Sequence, residues 1–321
     1  MRKQLTQHFG FEADYDEATF LNHFEQEDLD TIEQFFRGQV DRLSEGWIPL
    51  PDAFFTLAGC ELLGLDTQPL RDRLPRYIDG LQVDEGYCSV PEELLEGWRA
   101  EQQPEVYSTY YAVNILPYLG ESVEVDVSEF VGQMQNGTWV YNSDWSDTIP
   151  EYRFDSEMRQ QTFLALLLSD NLNTNPIKEN LTSGDFLASI YYSWRIRRLL
   201  NVSPTLKEEE GEILVELNKE GGFREYRLRD KVDEHAGSEH RTFHDKNPPH
   251  LFSTVYGYQL ASETDAVSFS GDDLVEFVKS TQNEEGFGVP VHARGFEEPF
   301  GPTCTPLENL LVLLVPSLLQ E

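Results

Sequence analysis

Two kinds of apolar segment alternate along the chain. In the first, apolar residues recur every three or four positions with polar residues between them, as in Ile213, Leu214 and Leu217 or Leu274, Val275, Phe277 and Val278. That period predicts amphipathic helices with one buried face. In the second, most positions are apolar or aromatic, as from Ala53 to Leu63, Thr109 to Leu119, Ile190 to Leu200 and Leu307 to Leu319. A helix without a clear polar face is expected to lie inside, surrounded by other elements.

The two kinds form a repeated phrase. Ser108-Thr-Tyr-Tyr-Ala-Val-Asn-Ile-Leu-Pro-Tyr-Leu-Gly120 aligns without a gap on Ser189-Ile-Tyr-Tyr-Ser-Trp-Arg-Ile-Arg-Arg-Leu-Leu-Asn201, and Ser253-Thr-Val-Tyr-Gly-Tyr-Gln-Leu-Ala261 begins the same way. Asp52 to Gly64 keeps the aromatic pair, and weaker copies run from Gln161 to Leu168 and from Thr303 to Leu314. In this register Ala53, Thr109, Thr162, Ile190, Thr254 and Cys304 are equivalent. A glycine–aromatic phrase precedes most copies: Glu45-Gly-Trp47, Glu85-Gly-Tyr87, Asn136-Gly-Thr-Trp139, Gly221-Gly-Phe223 and Glu285-Gly-Phe-Gly288. Glycine there is expected to end the preceding helix in the left-handed conformation and turn the chain.

The repeating unit is therefore an amphipathic helix, a turn, a variable loop and an apolar helix. Six units head to tail predict an all-α fold, an α/α toroid (α6/α6 barrel) with the amphipathic helices outside. The fourth unit is degenerate, because Asn171 to Gly184 is short and lacks the glycine–aromatic turn. Residues 1–27 read as an N-terminal extension, 28–321 as the toroid domain, and 224–249 as a polar insertion within it.

Charge narrows the partners. Among 321 residues, 58 are acidic and 24 are Lys or Arg, giving −34 at pH 7. A field of that sign repels nucleic acid and anionic lipid headgroups. Only 7 of the 24 basic residues are Lys. Such a composition suits a halophilic cytoplasm, where a dense carboxylate shell keeps a protein hydrated in high salt. Three separated cysteines, Cys60, Cys88 and Cys304, fit a reducing compartment better than a disulfide framework. Met1 to Glu17 has no apolar stretch of the signal-peptide kind. The run Leu307 to Leu319 is too short and too interrupted to span a bilayer. A soluble, cytoplasmic protein is expected.

The pair pattern, with Gln282-Asn283-Glu284-Glu285-Gly286-Phe287-Gly288 and Ser108 to Ala112 as its most specific segments, resembles the prenyltransferase and squalene-cyclase repeat over about residues 28–316. The resemblance implies a toroid with a central cavity, and either zinc-dependent prenyl transfer or acid-initiated terpene cyclisation. The motifs for both are missing. No cysteine has Asp two residues before it, and Ser108 and Ser253 stand where the family's histidine ligand begins an apolar helix. The acidic cyclase motif is absent too. Thr303-Cys304-Thr305-Pro306 keeps its Cys-Thr and loses the proton donor. Gly271-Asp272-Asp273 reads as a helix cap.

The expected function is accordingly a diverged member that binds a hydrophobic, isoprenoid-like small molecule or a peptide in the central cavity. Two alternatives stand beside it. One is a prenyl-transfer or terpene-class enzyme with relocated catalytic groups, for which Cys304 and Asp52 are the candidates. The other is a scaffold that offers the ring to a helical partner subunit. Tyr110, Tyr191, Trp194, Tyr256, His250 and Arg195 are candidate ligand-binding residues, the aromatics as a cavity wall. Arg195, Arg197 and Arg198 are a candidate diphosphate cluster, against a helix-end role for the same charges. His240 and His244 are spaced for one helix face and are the candidate metal ligands. No cofactor is assigned; zinc, the cofactor of the family, lacks its usual ligand motif.

Overall fold

A computed structural model describes residues 1–91, 103–141, 151–181, 186–203, 205–219, 221–225, 249–288 and 304–320. The chain is mostly helical. Two short helices, α1 (Arg2–Phe9) and α2 (Glu17–Phe20), precede six helix pairs. These are α3 (Gln26–Glu45) with α4 (Leu50–Leu63), α5 (Gln68–Asp79) with α6 (Val106–Leu119), and α7 (Val127–Gln133) with α8 (Glu151–Leu168). They continue as α9 (Thr174–Glu179) with α10 (Leu187–Leu199), α11 (Glu208–Leu217) with α12 (Leu251–Ala261), and α13 (Gly271–Ser280) with α14 (Pro306–Leu318).

The first helix of each pair follows its hydrophobic period. Helix α3 buries Leu29, Ile32, Phe35, Phe36, Val40 and Leu43 on one side, and α5 buries Leu70, Leu74 and Ile78. The second helices α4, α6, α10, α12 and α14 are buried on all sides. Caps set several starts. Ser270 and Asp273 close a capping box on α13, and Thr305 and Glu308 close one on α14. The fourth pair is the weakest, since α9 has only six residues.

Each second helix packs on the next. Helix α4 meets α6, α6 meets α8, α8 meets α10, α10 meets α12, α12 meets α14, and α14 returns to α4. Helices α3, α5 and α7 pack against their own second helices, and α11 packs against both α10 and α12. One apolar core joins all six pairs. Residues 1–27, which read as an extension, belong to it: Leu5, Phe9, Phe11, Ala13, Phe20 and Phe24 are buried there.

Four small antiparallel hairpins qualify the all-α expectation: β1 (Gln82–Val83) with β2 (Gly86–Tyr87), β3 (Gln135–Asn136) with β4 (Trp139–Val140), β5 (Asn218–Lys219) with β6 (Gly222–Phe223), and β7 (Gln282–Asn283) with β8 (Gly286–Phe287). The aromatic of each glycine–aromatic phrase lies in the second strand, preceded there by its glycine in β2, β6 and β8. Gly137 and Gly221 are left-handed and turn the chain as expected, but within the hairpins and not at helix ends. A Cβ at Gly222 would lie 2.5 Å from the Phe277 ring and 2.8 Å from Thr254 Oγ1, so what matters there is close approach. The left-handed glycines that end helices are Gly10, Gly64 and Gly120, after α1, α4 and α6. The phrase Glu45-Gly46-Trp47 forms no hairpin. Only Gly46 to Pro49 separate α3 from α4, which leaves no room for one, and Trp47 is 49% exposed. Among the described residues no helix is long and apolar enough to cross a membrane.

Candidate functional site

The hairpins hang on the second helices by one recurring bond. The Thr109 hydroxyl accepts from Tyr87 N–H at 2.9 Å, that of Thr162 from Val140 N–H at 2.9 Å, and that of Thr254 from Phe223 N–H at 3.0 Å. In the last unit Asn309 Oδ1 accepts from Phe287 N–H at 3.0 Å, and its amide donates to Phe287 O at 3.1 Å. The fourth equivalent is therefore Asn309, and the register that placed Cys304 there is corrected. Donor and acceptor lie 22 residues apart in three units and 31 in the one with the insertion. That spacing is the sequence signal which would have found Asn309. Cys304 instead precedes α14, buried, with its Sγ 3.1 Å from Asn283 Nδ2.

Within the circuit of second helices, aromatic rings converge. Tyr191 and Tyr256 stack with centroids 4.0 Å apart and planes 1° from parallel. Tyr192 contacts Phe163 on α8 and Tyr256 on α12, and Tyr111 contacts Phe54 and Phe55 on α4. Tyr107 meets Tyr111 edge-on at 5.0 Å. Tyr110 and Tyr111 leave the helix about 100° apart. Both are nevertheless buried, and both approach the His8 ring, at 5.7 and 6.3 Å. Burial holds these phenols protonated: it pushes Tyr107 up to about 12 and raises Tyr110, Tyr111, Tyr191, Tyr192 and Tyr256 as well. The wall thus offers ring faces, while its neutral hydroxyls are engaged, Tyr107 with Tyr111, Tyr192 with Tyr256 and Tyr191 on Phe9 O.

Part of this centre is filled by the chain itself. Helix α1 turns Leu5, His8 and Phe9 inward and leaves Arg2, Lys3 and Gln7 exposed. His8 touches Phe55, Tyr110, Tyr111 and Phe163, on three different second helices. Arg195 on α10 reaches the same helix end. It donates to His8 O at 2.8 Å, to Gln7 O at 2.7 Å and to the Tyr191 hydroxyl at 3.0 Å, and it lies over the Phe163 ring at 4.8 Å. Burial, then the Arg195 charge, lowers the His8 pKa to about 3.

The remaining candidates are dispersed. Arg197 makes a two-pronged buried ion pair with Glu210 on α11, at 3.0 and 2.7 Å. Arg198 lies over Trp194 and reaches Glu263 at the surface. The three arginines thus point three ways. Trp194 is buried, and its Nε1 has no hydrogen-bond partner among the described residues. Asp52, in the first turn of α4, pairs with Arg42 at 2.8 Å. His250 is the N-cap residue of α12, and burial lowers its pKa to about 4. Beside it the Ser253 hydroxyl donates to Glu225 at 2.9 Å. Buried Glu105 accepts from Ser108, and burial raises its pKa. His240 and His244 lie outside the described residues, among which no three His, Cys, Asp or Glu side chains are grouped to hold a metal ion.

No protein-family model and no curated protein matches this chain.

Proposed function

We propose that the six pairs form an α/α toroid of the prenyltransferase and squalene-cyclase repeat kind, and that its axis binds a hydrophobic small molecule. The observation that carries the reading is the closed circuit of second helices, with tyrosines from α6, α10 and α12 turned toward one another inside it. Ring faces would pack a branched apolar chain, and a polar end would exchange with one of the hydrogen bonds that pair the phenols. The probe is farnesol, a C15 isoprenoid alcohol, titrated calorimetrically into the full chain. Saturable binding is expected with a negative heat-capacity change. Tyr192→Ala and Tyr256→Ala should each weaken it about tenfold, the worth of one aromatic contact plus its buried area. Absence of binding, or equal affinity in the folded variants, overturns the reading.

A non-catalytic scaffold is the second reading, favoured by α1 filling part of the axis with the chain's own side chains. The enzyme alternative, with Cys304 and Asp52 as relocated groups, rests on the resemblance alone. One zinc per chain in protein purified without chelators would bring it forward.

A further inference from the structure

The carbonyls at the end of α1 are satisfied in an unusual way. The last four carbonyls of a helix lack partners within it. Here Thr6 O accepts from Gly10 N–H at 2.8 Å, the αL cap of Gly10. The other three are taken by one neighbouring helix: Gln7 O and His8 O by Arg195, and Phe9 O by the Tyr191 hydroxyl at 3.0 Å. Arg195 is 4% exposed and pairs with no carboxylate among the described residues. Its charge faces the negative end of a helix dipole and two ring faces.

We propose that Arg195 and Tyr191 form a receptor for a helix C-terminus, and that α1 is a displaceable occupant of it. The ligand class is a short peptide helix with an apolar face that ends at glycine, supplied in trans. The inference goes beyond a small-molecule ligand and rests on Arg195 and the α1 carbonyls, with Tyr191 shared between the two sites. Three observations support exchange. The receptor reads main-chain carbonyls, which any helix end presents. An eight-residue helix has little stability apart from its docking surface. And α1 fits imperfectly: His8 is 4% exposed, with Nδ1 unpartnered among the described residues, in a pocket of four aromatic rings. A helix with leucine at that position fits the same pocket without burying an unpaired nitrogen.

The probe is a fluorescent peptide of residues 1–14, labelled at its C-terminus, followed by anisotropy with the full-length protein. Gly10→Val should evict α1, since φ there is +83° and the added Cβ would lie 2.5 Å from the Arg195 guanidinium. That variant should bind the peptide saturably. Wild type should bind about a hundredfold more weakly, because its own α1 competes at an effective concentration on the order of millimolar. Adding Arg195→Met to Gly10→Val should cost at least about tenfold, the loss of two charge-assisted bonds, and a peptide carrying His8→Leu should bind more tightly. A folded Gly10→Val protein that ignores the peptide, or binds it equally without Arg195, overturns the proposal. Should Gly10→Val not fold, hydrogen exchange on wild type decides. Amides of Leu5 to Gly10 should exchange faster than those of α4 and α10. Exchange of all of them together, only on global unfolding, overturns the proposal. Tyr191 touches both Phe9 O and Tyr256, so the proposals are separated by variant: Arg195→Met is read in the peptide assay and Tyr192→Ala in the farnesol titration.

Discussion

At the scale of single residues, Thr109, Thr162, Thr254 and Asn309 do the same work with different chemistry. Each accepts a backbone N–H from the second strand of its hairpin, where both groups are buried. Removing the acceptor leaves a buried donor unpaired, at about 1–3 kcal/mol. Thr162→Val, which keeps the shape, should therefore lower unfolding free energy by about that amount in urea titration. Asn309→Leu should cost more, because its amide donates two bonds, to Phe287 O and Thr305 O at 3.1 Å, where the Thr162 hydroxyl donates one, to Val140 O at 3.2 Å. Equal costs at the two sites would mean that the extra donated bond of Asn309 contributes nothing.

At the scale of an element, α1 is the part most sensitive to pH. His8 has a folded pKa near 3 against an ordinary 6.5. Its pKa is depressed on docking, so the undocked chain binds the extra proton. Docking stability is fully present above about 6.5 and is lost as pH falls from there toward 3, by at most about 1.4 kcal/mol per pH unit. Among the described residues, the charged group acting on His8 is Arg195, and the rings around it are those of Phe9, Phe55, Tyr110, Tyr111 and Phe163. Hydrogen exchange of the α1 amides, corrected for intrinsic rates, should speed up between pH 7 and pH 5 relative to α4. In His8→Leu that pH dependence should vanish. Glu308 acts in the opposite sense. Burial raises its carboxyl to about 7, so its contribution weakens as pH rises from about 4.5 through 7. Reading the α1 amides separates the two.

At the scale of the whole molecule, net charge dominates. A chain of −34 repels itself most where screening is weakest. The melting temperature should rise steadily from about 0.05 M to 1 M KCl, where the Debye length falls to about 3 Å. Most of that gain should come with any monovalent salt, since screening does not distinguish ions. A melting temperature that is flat or falls across this range would show that specific pairs, such as Arg197 with Glu210, outweigh the general field.

Much of the architecture was legible because it rests on period and composition. The apolar runs around Phe54, Tyr110, Tyr191 and Tyr256 became helices buried on all sides, and the amphipathic runs ending near Leu217 and Val278 became helices with one buried face. Hydrophobic period is local, and a local signal survives in a string of residues. The degenerate fourth pair was visible for the same reason. The centre was not legible. Arg195 looked like one of three clustered arginines, but on α10 each side chain leaves the helix in its own direction, and only Arg195 meets the end of α1, some 187 residues away in sequence. Residues 1–27 looked peripheral because α1 is short and polar on one face. Its value lies in three inward side chains and three carbonyls whose partners the folded chain alone brings near. What the sequence determined by itself is which stretches become helices and which faces they bury, since neighbouring residues decide that. What only the tertiary structure decided is what fills the centre of the circuit, because that depends on contacts between residues with no fixed spacing along the chain.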